Sequence, residues 1–300
     1  MTDILYGHRF DAFVDGRPVP MKYLPLARGS EHSTRVRPYP RGMTYEAAIL
    51  DVDGTIVRGE RLLPGATDGL AAIDAAGCGR LLFSNNPTRG SDHYRSKLEP
   101  HGIEVDPERV LTSATVSAAH LASAHPDAAV YLVGDERLES ILEDADVELT
   151  ADPEAADVVL GSFDSDFSYG TLWESLQALQ NGAVFYGTDP DTTIPVDDGL
   201  MPGSGAILAA MGAVGGREPD AILGKPSGVA AEAAIERLGA DPKDVLVVGD
   251  RLDTDIALGE RAGMETALVL TGITDEDTLA STSVEPDHVL DSLADVERLL

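Results

Sequence analysis

The chain has 300 residues and a formal net charge of −30, with 22 lysines and arginines against 52 aspartates and glutamates. That length suits two domains, or one core with a large insert, and an apolar content of 43% excludes wholesale disorder. So acidic a balance argues against nucleic acid as a partner, and with no apolar run near the ~20 residues of a membrane span, neither a membrane nor a signal peptide is expected.

Residues 1–42 differ from the rest. They carry Arg9, Arg17, Lys22, Arg28, Arg35, Arg37 and Arg41 against only Asp3, Asp11, Asp15 and Glu31, and five prolines interrupt them. No helical or strand period runs through them, so a disordered or loosely attached arm is expected, with translation starting naturally at Met43 as a sharper form of that expectation. From Met43 the pattern alternates. "EAAILDV" reads as a buried strand, "ATDGLAAIDAAG" as a helix closing on Gly77, and "RLLFS" (80–84) as a second strand. "GSDHYRSKLEPHG" is helical up to Pro100, and "TVSAAHLASAH" (115–125) is amphipathic. Strands follow at 129–134, 157–162 and 183–188. Between the last two lies the helix "YGTLWESLQALQNG", whose Tyr169 and Trp173 are expected to pack on a sheet. Helices "GSGAILAAMG" and "GVAAEAAIERLG", the strand "DVLVVGD" (244–250), the helix "DIALGERAG" and a last strand "ETALVL" (265–270) complete the series. Strands alternating with helices of this length specify parallel β-α-β units, hence an α/β fold with a doubly wound, Rossmann-like parallel sheet. The lone Cys78 excludes an internal disulfide and fits a reducing, cytoplasmic setting.

Ligands of such sheets gather at the carboxyl ends of the strands, and the polar signals fall there. Asp51 and Asp53 stand two apart in an extended segment, so they share a face, and Gly54 permits the turn after them. "RLLFS" delivers Ser84, followed by Asn85 and Asn86. Lys225 precedes a helix, "DVLVVGD" delivers Asp250, and Asp253 and Asp255 follow, with Asp253 read as a helix N-cap. Several carboxylates in one crevice repel one another and need a hard cation, for which oxygen ligands suit Mg²⁺. A lysine and a hydroxyl opposite that metal suit a phosphoryl group, with Asp51 as nucleophile and Asp53 as general acid and base.

"DVDGT", Ser84, Lys225 and "GDRLDTD", in that order, resemble the four motifs of the haloacid dehalogenase superfamily. "FSNNPTRG", "GSGAI", "GKPS" and "VVGDRLDTDIALGERAGMETALVLTG" resemble its class II type A branch, which includes 4-nitrophenylphosphatases, NagD-like sugar phosphatases, phosphoglycolate phosphatases and pyridoxal phosphatases. The resemblance covers roughly residues 44–300. It implies an aspartyl phosphate on Asp51, with Asp53 protonating the leaving group and then activating water. It implies Mg²⁺ held by Asp51, Asp250 and the backbone carbonyl of Asp53, with Asp255 close behind. Phosphoryl oxygens would be bound by Ser84 and Lys225, with backbone N–H groups near Gly54 and Asn85. It further implies a core from 43–125 and 204–300, and an α/β cap over 126–203 that closes on the site. Within that cap the loop 188–195 would reach the substrate, making Asp189, Asp191, Thr192 and Ile194 specificity candidates. A small-molecule phosphate ester is then the expected partner, and a homodimer is in keeping with the branch. Two alternatives stay open: a phospho-acceptor module, and a sugar-phosphate-binding protein of the same fold without turnover. The scarcity of lysine (Lys22, Lys97, Lys225 and Lys243 only) under so large an acidic excess resembles proteins of salt-loving archaea.

Overall fold

The computed structural model describes residues 12–14, 17–19, 45–196 and 199–300. The N-terminal unit, residues 1–35, contributes β1 (Ala12–Val14) and β2 (Arg17–Val19), an antiparallel pair. The expectations of a disordered arm and of a start at Met43 otherwise lie outside the described residues.

The second unit, residues 36–300, holds two parallel sheets. The chain enters β3 (Ala47–Leu50), makes the small antiparallel flap β4 (Val57–Arg58) and β5 (Arg61–Leu62), and continues through α1 (Ala66–Ala75), β6 (Gly79–Ser84), α2 (Ser91–Leu98), β7 (Val110–Thr112) and α3 (Ser113–Ala124). Next come β8 (Val130–Val133), α4 (Glu136–Asp144), β9 (Val158–Gly161), α5 (Tyr169–Gln180) and β10 (Val184–Gly187). The hairpin β11 (Thr193–Val196) and β12 (Gly199–Pro202) leads to α6 (Ser204–Gly215) and β13 (Ala221–Ile222). The chain closes with α7 (Gly228–Leu238), β14 (Val245–Gly249), α8 (Ala257–Ala262), β15 (Glu265–Val269), α9 (Glu276–Ser281) and β16 (His288–Leu290).

The six-stranded sheet has the order β16-β15-β14-β3-β6-β7, all parallel. Its central strands β3 and β14 are buried at every residue, as a sheet covered on both faces requires. One face packs Leu70 and Ile73 of α1 with Tyr94 and Leu98 of α2; the other packs Ala230, Ala231 and Ala234 of α7 with Leu258 of α8. This is the doubly wound arrangement the alternating pattern specifies.

The second sheet, β13-β10-β9-β8, is also parallel. Leu179 of α5 and Ile207, Leu208 and Met211 of α6 cover one face, and Leu121 of α3 with Leu138 and Leu142 of α4 the other. The elements of this sheet therefore run on to Ile222, past the limit of 203 expected for the cap: α6 belongs with the second sheet, and α3 serves both sheets, sending Val116 into the first core and Leu121 into the second. A strand of two residues such as β13 has no period to read. The expected packing of Tyr169 and Trp173 does not occur. They are 83% and 62% exposed, because α5 turns Ser175, Ala178 and Leu179 to the sheet instead. Among the described residues, no helix is long and apolar enough to cross a membrane.

Candidate active site

Three neighbouring strands, β14, β3 and β6, end together and deliver the site. Asp51 follows β3, Ser84 ends β6, and Asp250 follows β14. Lys225 comes from the turn before α7, whose N-cap Ser227 accepts a hydrogen bond from the Ala230 N–H. Asp255 lies in a single π turn, Leu252–Ile256, that opens α8. Its N-cap is Arg251. Asp253 is therefore not the cap; its carboxylate pairs sideways with the Arg251 guanidinium.

Lys225 is the hub. It is 2% exposed, and its ammonium donates to Asp51 Oδ1 at 2.8 Å, to Asp255 Oδ1 at 2.6 Å and to the Phe83 carbonyl at 2.7 Å. All three of its N–H bonds are thereby engaged, so in this structure Lys225 holds the nucleophile candidate rather than presenting a free donor. Burial works against the charge of Lys225, but Asp255 and Asp51 outweigh it and hold the ammonium protonated. The carboxylates remain in excess. Asp51 is pushed well up by burial, with Lys225 opposing and Asp255 and Asp250 adding to the rise. Asp250 is pushed up to about 7, by burial and then by Asp255.

One ammonium shared among three buried carboxylates leaves a charge deficit that a cation would fill. The ligand atoms of Asp51, Asp250 and Asp255 lie within 4.8 Å of one another. Two buried oxygens there, Asp51 Oδ2 and Asp250 Oδ1, have no hydrogen-bond partner among the described residues. An all-oxygen set with orphaned acceptors fits a hard divalent cation. The chain makes room around Asp250. A Cβ at Gly54 or Gly272 would overlap its carboxylate, and Gly54 also needs its φ of 106° for the turn. The Ile273 N–H donates to Asp250 Oδ2 at 2.6 Å, which fixes that oxygen and leaves Oδ1 free. The Gly54 N–H is donated to the Val57 carbonyl, so Gly54 shapes the site without offering its own amide.

The other sequence candidates fall into place unevenly. Asp53 stands at the opening, its side chain 46% exposed, and Lys97 of α2 donates to its Oδ1 at 2.9 Å. The Ser84 hydroxyl is buried and accepts from Tyr94 at 2.7 Å and from the Asn86 N–H at 3.2 Å. The Asn85 side chain turns to Lys225, accepting from its N–H at 2.8 Å and donating to its carbonyl at 3.0 Å. Of the four loop candidates, Asp189 is enclosed by the chain. It is 2% exposed and accepts from Ser204, from Thr188 and from the Asp191 N–H. Asp191 forms an ion pair with Arg251 at 3.0 Å, and burial pushes its carboxyl up against the pull of that guanidinium. Thr192 is exposed and Ile194 half-buried, so these two stay available to a ligand.

Sequence reasoning passed over Tyr94, Lys97 and Arg251. For Lys97 a signal existed, since it is one of four lysines in the whole chain. Tyr94 and Lys97 are also three apart on one helix, the spacing of side chains that share a face.

Comparison with known proteins identifies the family. Residues 48–148 match the family model for haloacid dehalogenase-like hydrolases, and residues 222–296 match a second, HAD-hydrolase-like model. Over 252 residues the chain is 33% identical to the 5′-nucleotidase YutF of Bacillus subtilis, spanning 84% of this chain and 97% of that protein. It is 34% identical over 244 residues to an acid sugar phosphatase of Staphylococcus aureus, spanning 81% and 93%. Among solved structures, a p-nitrophenyl phosphatase from Archaeoglobus fulgidus superposes with a TM-score of 0.81 at 33% identity, covering 85% of this chain and 99% of that one. NagD from E. coli K-12 superposes with a TM-score of 0.77 at 29% identity, covering 85% and 100%. The chain therefore belongs to the haloacid dehalogenase-like hydrolases, in their class II phosphatase branch, and is a phosphoric monoester hydrolase of that family.

Proposed function

We propose that the protein hydrolyses a small organic phosphate monoester through an aspartyl phosphate on Asp51. The observation that carries this is the state of the Asp51 carboxylate: buried, with Oδ1 tied to Lys225 and Oδ2 without a partner among the described residues. The Asp51 carboxylate attacks phosphorus as the bond to the leaving oxygen breaks, and Asp53 gives that oxygen its proton, releasing the alcohol. Asp53 then takes a proton from water, whose oxygen attacks the phosphorus and frees inorganic phosphate and the Asp51 carboxylate. The Ser84 hydroxyl donates to a phosphoryl oxygen, and Lys225 sets its charge beside the group.

Mg²⁺ would be held by Asp51 and Asp250, with the Asp53 carbonyl added as the family pattern implies and Asp255 oriented by Lys225 and the Arg251 N–H. When bound it supplies positive charge to the developing phosphoryl oxygens and relieves the carboxylate repulsion. The activities of the relatives favour a sugar phosphate or a nucleoside monophosphate, and a cap around the second sheet would exclude larger esters. Thr192 and Ile194 are the loop residues left to select among them. The charge of −30 and the scarcity of lysine support work in a salt-rich cytoplasm, where screening suppresses self-repulsion, and a homodimer remains in keeping with the branch.

The test is phosphate release from 4-nitrophenyl phosphate and a panel of sugar phosphates and nucleoside monophosphates, in high KCl, with and without Mg²⁺. Mg²⁺-dependent release that disappears in Asp51→Asn is expected, and release that survives Asp51→Asn would refute the aspartyl phosphate. Light scattering on the same samples checks the dimer.

A further inference from the structure

One turn of α2 reaches both halves of this chemistry. Tyr94 and Lys97 are three residues apart, on one helix face. Tyr94 is fully buried, and its hydroxyl donates to Ser84 Oγ at 2.7 Å, while the Asn86 N–H donates to the same oxygen. A serine oxygen has two lone pairs. With both taken, the Ser84 hydroxyl can act only as a donor, and its hydrogen is directed away from Tyr94 and Asn86. Burial holds the Tyr94 phenol protonated, so it keeps the hydrogen that it donates to Ser84. Lys97, only 9% exposed, rests its ammonium 5.8 Å from the centre of the Tyr94 ring and donates to Asp53 Oδ1 at 2.9 Å. Asp53 is otherwise 46% exposed at the opening. A half-exposed carboxyl without this tether would sample several rotamers, most of them unable to reach a leaving oxygen.

We propose that Tyr94 and Lys97 are positioning residues for the phosphatase reaction, Tyr94 fixing Ser84 as a donor to the phosphoryl group and Lys97 holding Asp53 toward the leaving oxygen. This rests on the roles proposed above for Ser84 and Asp53. The two arms predict different kinetic signatures. Tyr94 acts on the phosphoryl group, which all substrates share. Lys97 acts on proton delivery, which an alkoxide leaving group needs and 4-nitrophenolate does not. The quantity to read is kcat/KM, which covers the steps through phosphoryl transfer to Asp51 and omits the later attack of water.

The experiment compares glycerol phosphate with 4-nitrophenyl phosphate, both with Mg²⁺, for wild type, Tyr94→Phe, Lys97→Met, Lys97→Arg and Asp53→Asn. Lys97→Met should lower kcat/KM about 30-fold on glycerol phosphate and less than about 3-fold on 4-nitrophenyl phosphate. Lys97→Arg, which keeps the cation, should recover most of the loss. Tyr94→Phe should lower both substrates by the same factor, about 5- to 10-fold, and weaken inhibition by inorganic phosphate to match. If Lys97→Met does not fold, Lys97→Gln takes its place with the same selective loss at a smaller factor. Equal losses on the two esters for the Lys97 variants, or none, alongside a selective loss for Asp53→Asn, overturn the inference alone. An equal loss for Asp53→Asn overturns the acid role itself, and with it the role of Lys97.

Discussion

The molecule buries carboxylates at the carboxyl edge of both parallel sheets, and the two sites are built to opposite ends. At the six-stranded sheet Asp51, Asp250 and Asp255 crowd around Lys225, and two of their oxygens are left without partners among the described residues. At the second sheet Asp189 sits among Thr188, Ser162 and Ser204, with hydrogen bonds to both of its oxygens. Burial pushes Asp250 and Asp189 alike up to about 7. A raised carboxyl therefore does not by itself mark a reactive site. Orphaned acceptors do separate the two: the first cluster leaves two oxygens open to a ligand, and the second is closed by the chain's own hydroxyls.

Substitutions can break or sharpen this contrast. Asp51→Asn should have the largest effect, a loss of phosphate release of about 10⁴-fold or more, with the melting temperature unchanged or raised because one like charge is gone. Parallel rate and melting measurements check both. Lys225→Met removes the only cation inside the first cluster among the described residues and should destabilise the fold by about 3–5 kcal/mol, read from denaturant unfolding.

The second cluster predicts a pH effect of defined sign. Asp189 has a folded value of about 7 against 3.8 for an ordinary aspartate. Its neutral form is favoured by folding, so its contribution is complete below about pH 4 and is lost as pH rises through about 7. The loss amounts to up to ~4 kcal/mol. Subtracting the unfolding free energy of Asp189→Asn from that of wild type across pH 4–8 isolates it, and a flat difference would remove the contrast. Mg²⁺ at a hundred times its dissociation constant should stabilise wild type by about 2.7 kcal/mol, and Asp250→Asn by much less. Smallest of all, Trp173→Ser on the exposed face of α5 should change stability by less than about 0.5 kcal/mol.

Much of the site was legible in the sequence because Asp51, Ser84 and Asp250 are tied to strand ends, and buried parallel strands announce themselves as short apolar runs bounded by turns. Asp51, Ser84 and Asp250 follow from that alone, and the motif order added Lys225. The second cluster was not legible. Asp189 lies in a stretch rich in aspartate, threonine and proline that reads as an exposed turn, and only the approach of Ser204 at the start of α6 encloses it. The extent of the second sheet was hidden for another reason: β13, which follows α6, is two residues long, and so short a strand shows no alternation. Tyr169 and Trp173 misled in the other direction: large aromatic side chains suggest packing, yet α5 meets its sheet through smaller residues. The short strands β7 and β16, three residues each, also escaped the pattern.

The reciprocal hydrogen bonds between the Asn85 side chain and the Lys225 backbone join positions 140 residues apart. They act as a stitch across the base of the second sheet, whose strands all lie between them in the chain. Lys225 is thus located by what it touches at the first sheet and not by the path the chain took to reach it. Because closing a loop of twice the length costs only about 0.6 kcal/mol more, the elements of the second sheet that lie between them can be lengthened, shortened or exchanged with little displacement of the lysine. New specificities can then be grafted above an unchanged reaction centre, and a chimera that swaps the second sheet while keeping Asn85 and Lys225 is the natural way to build one.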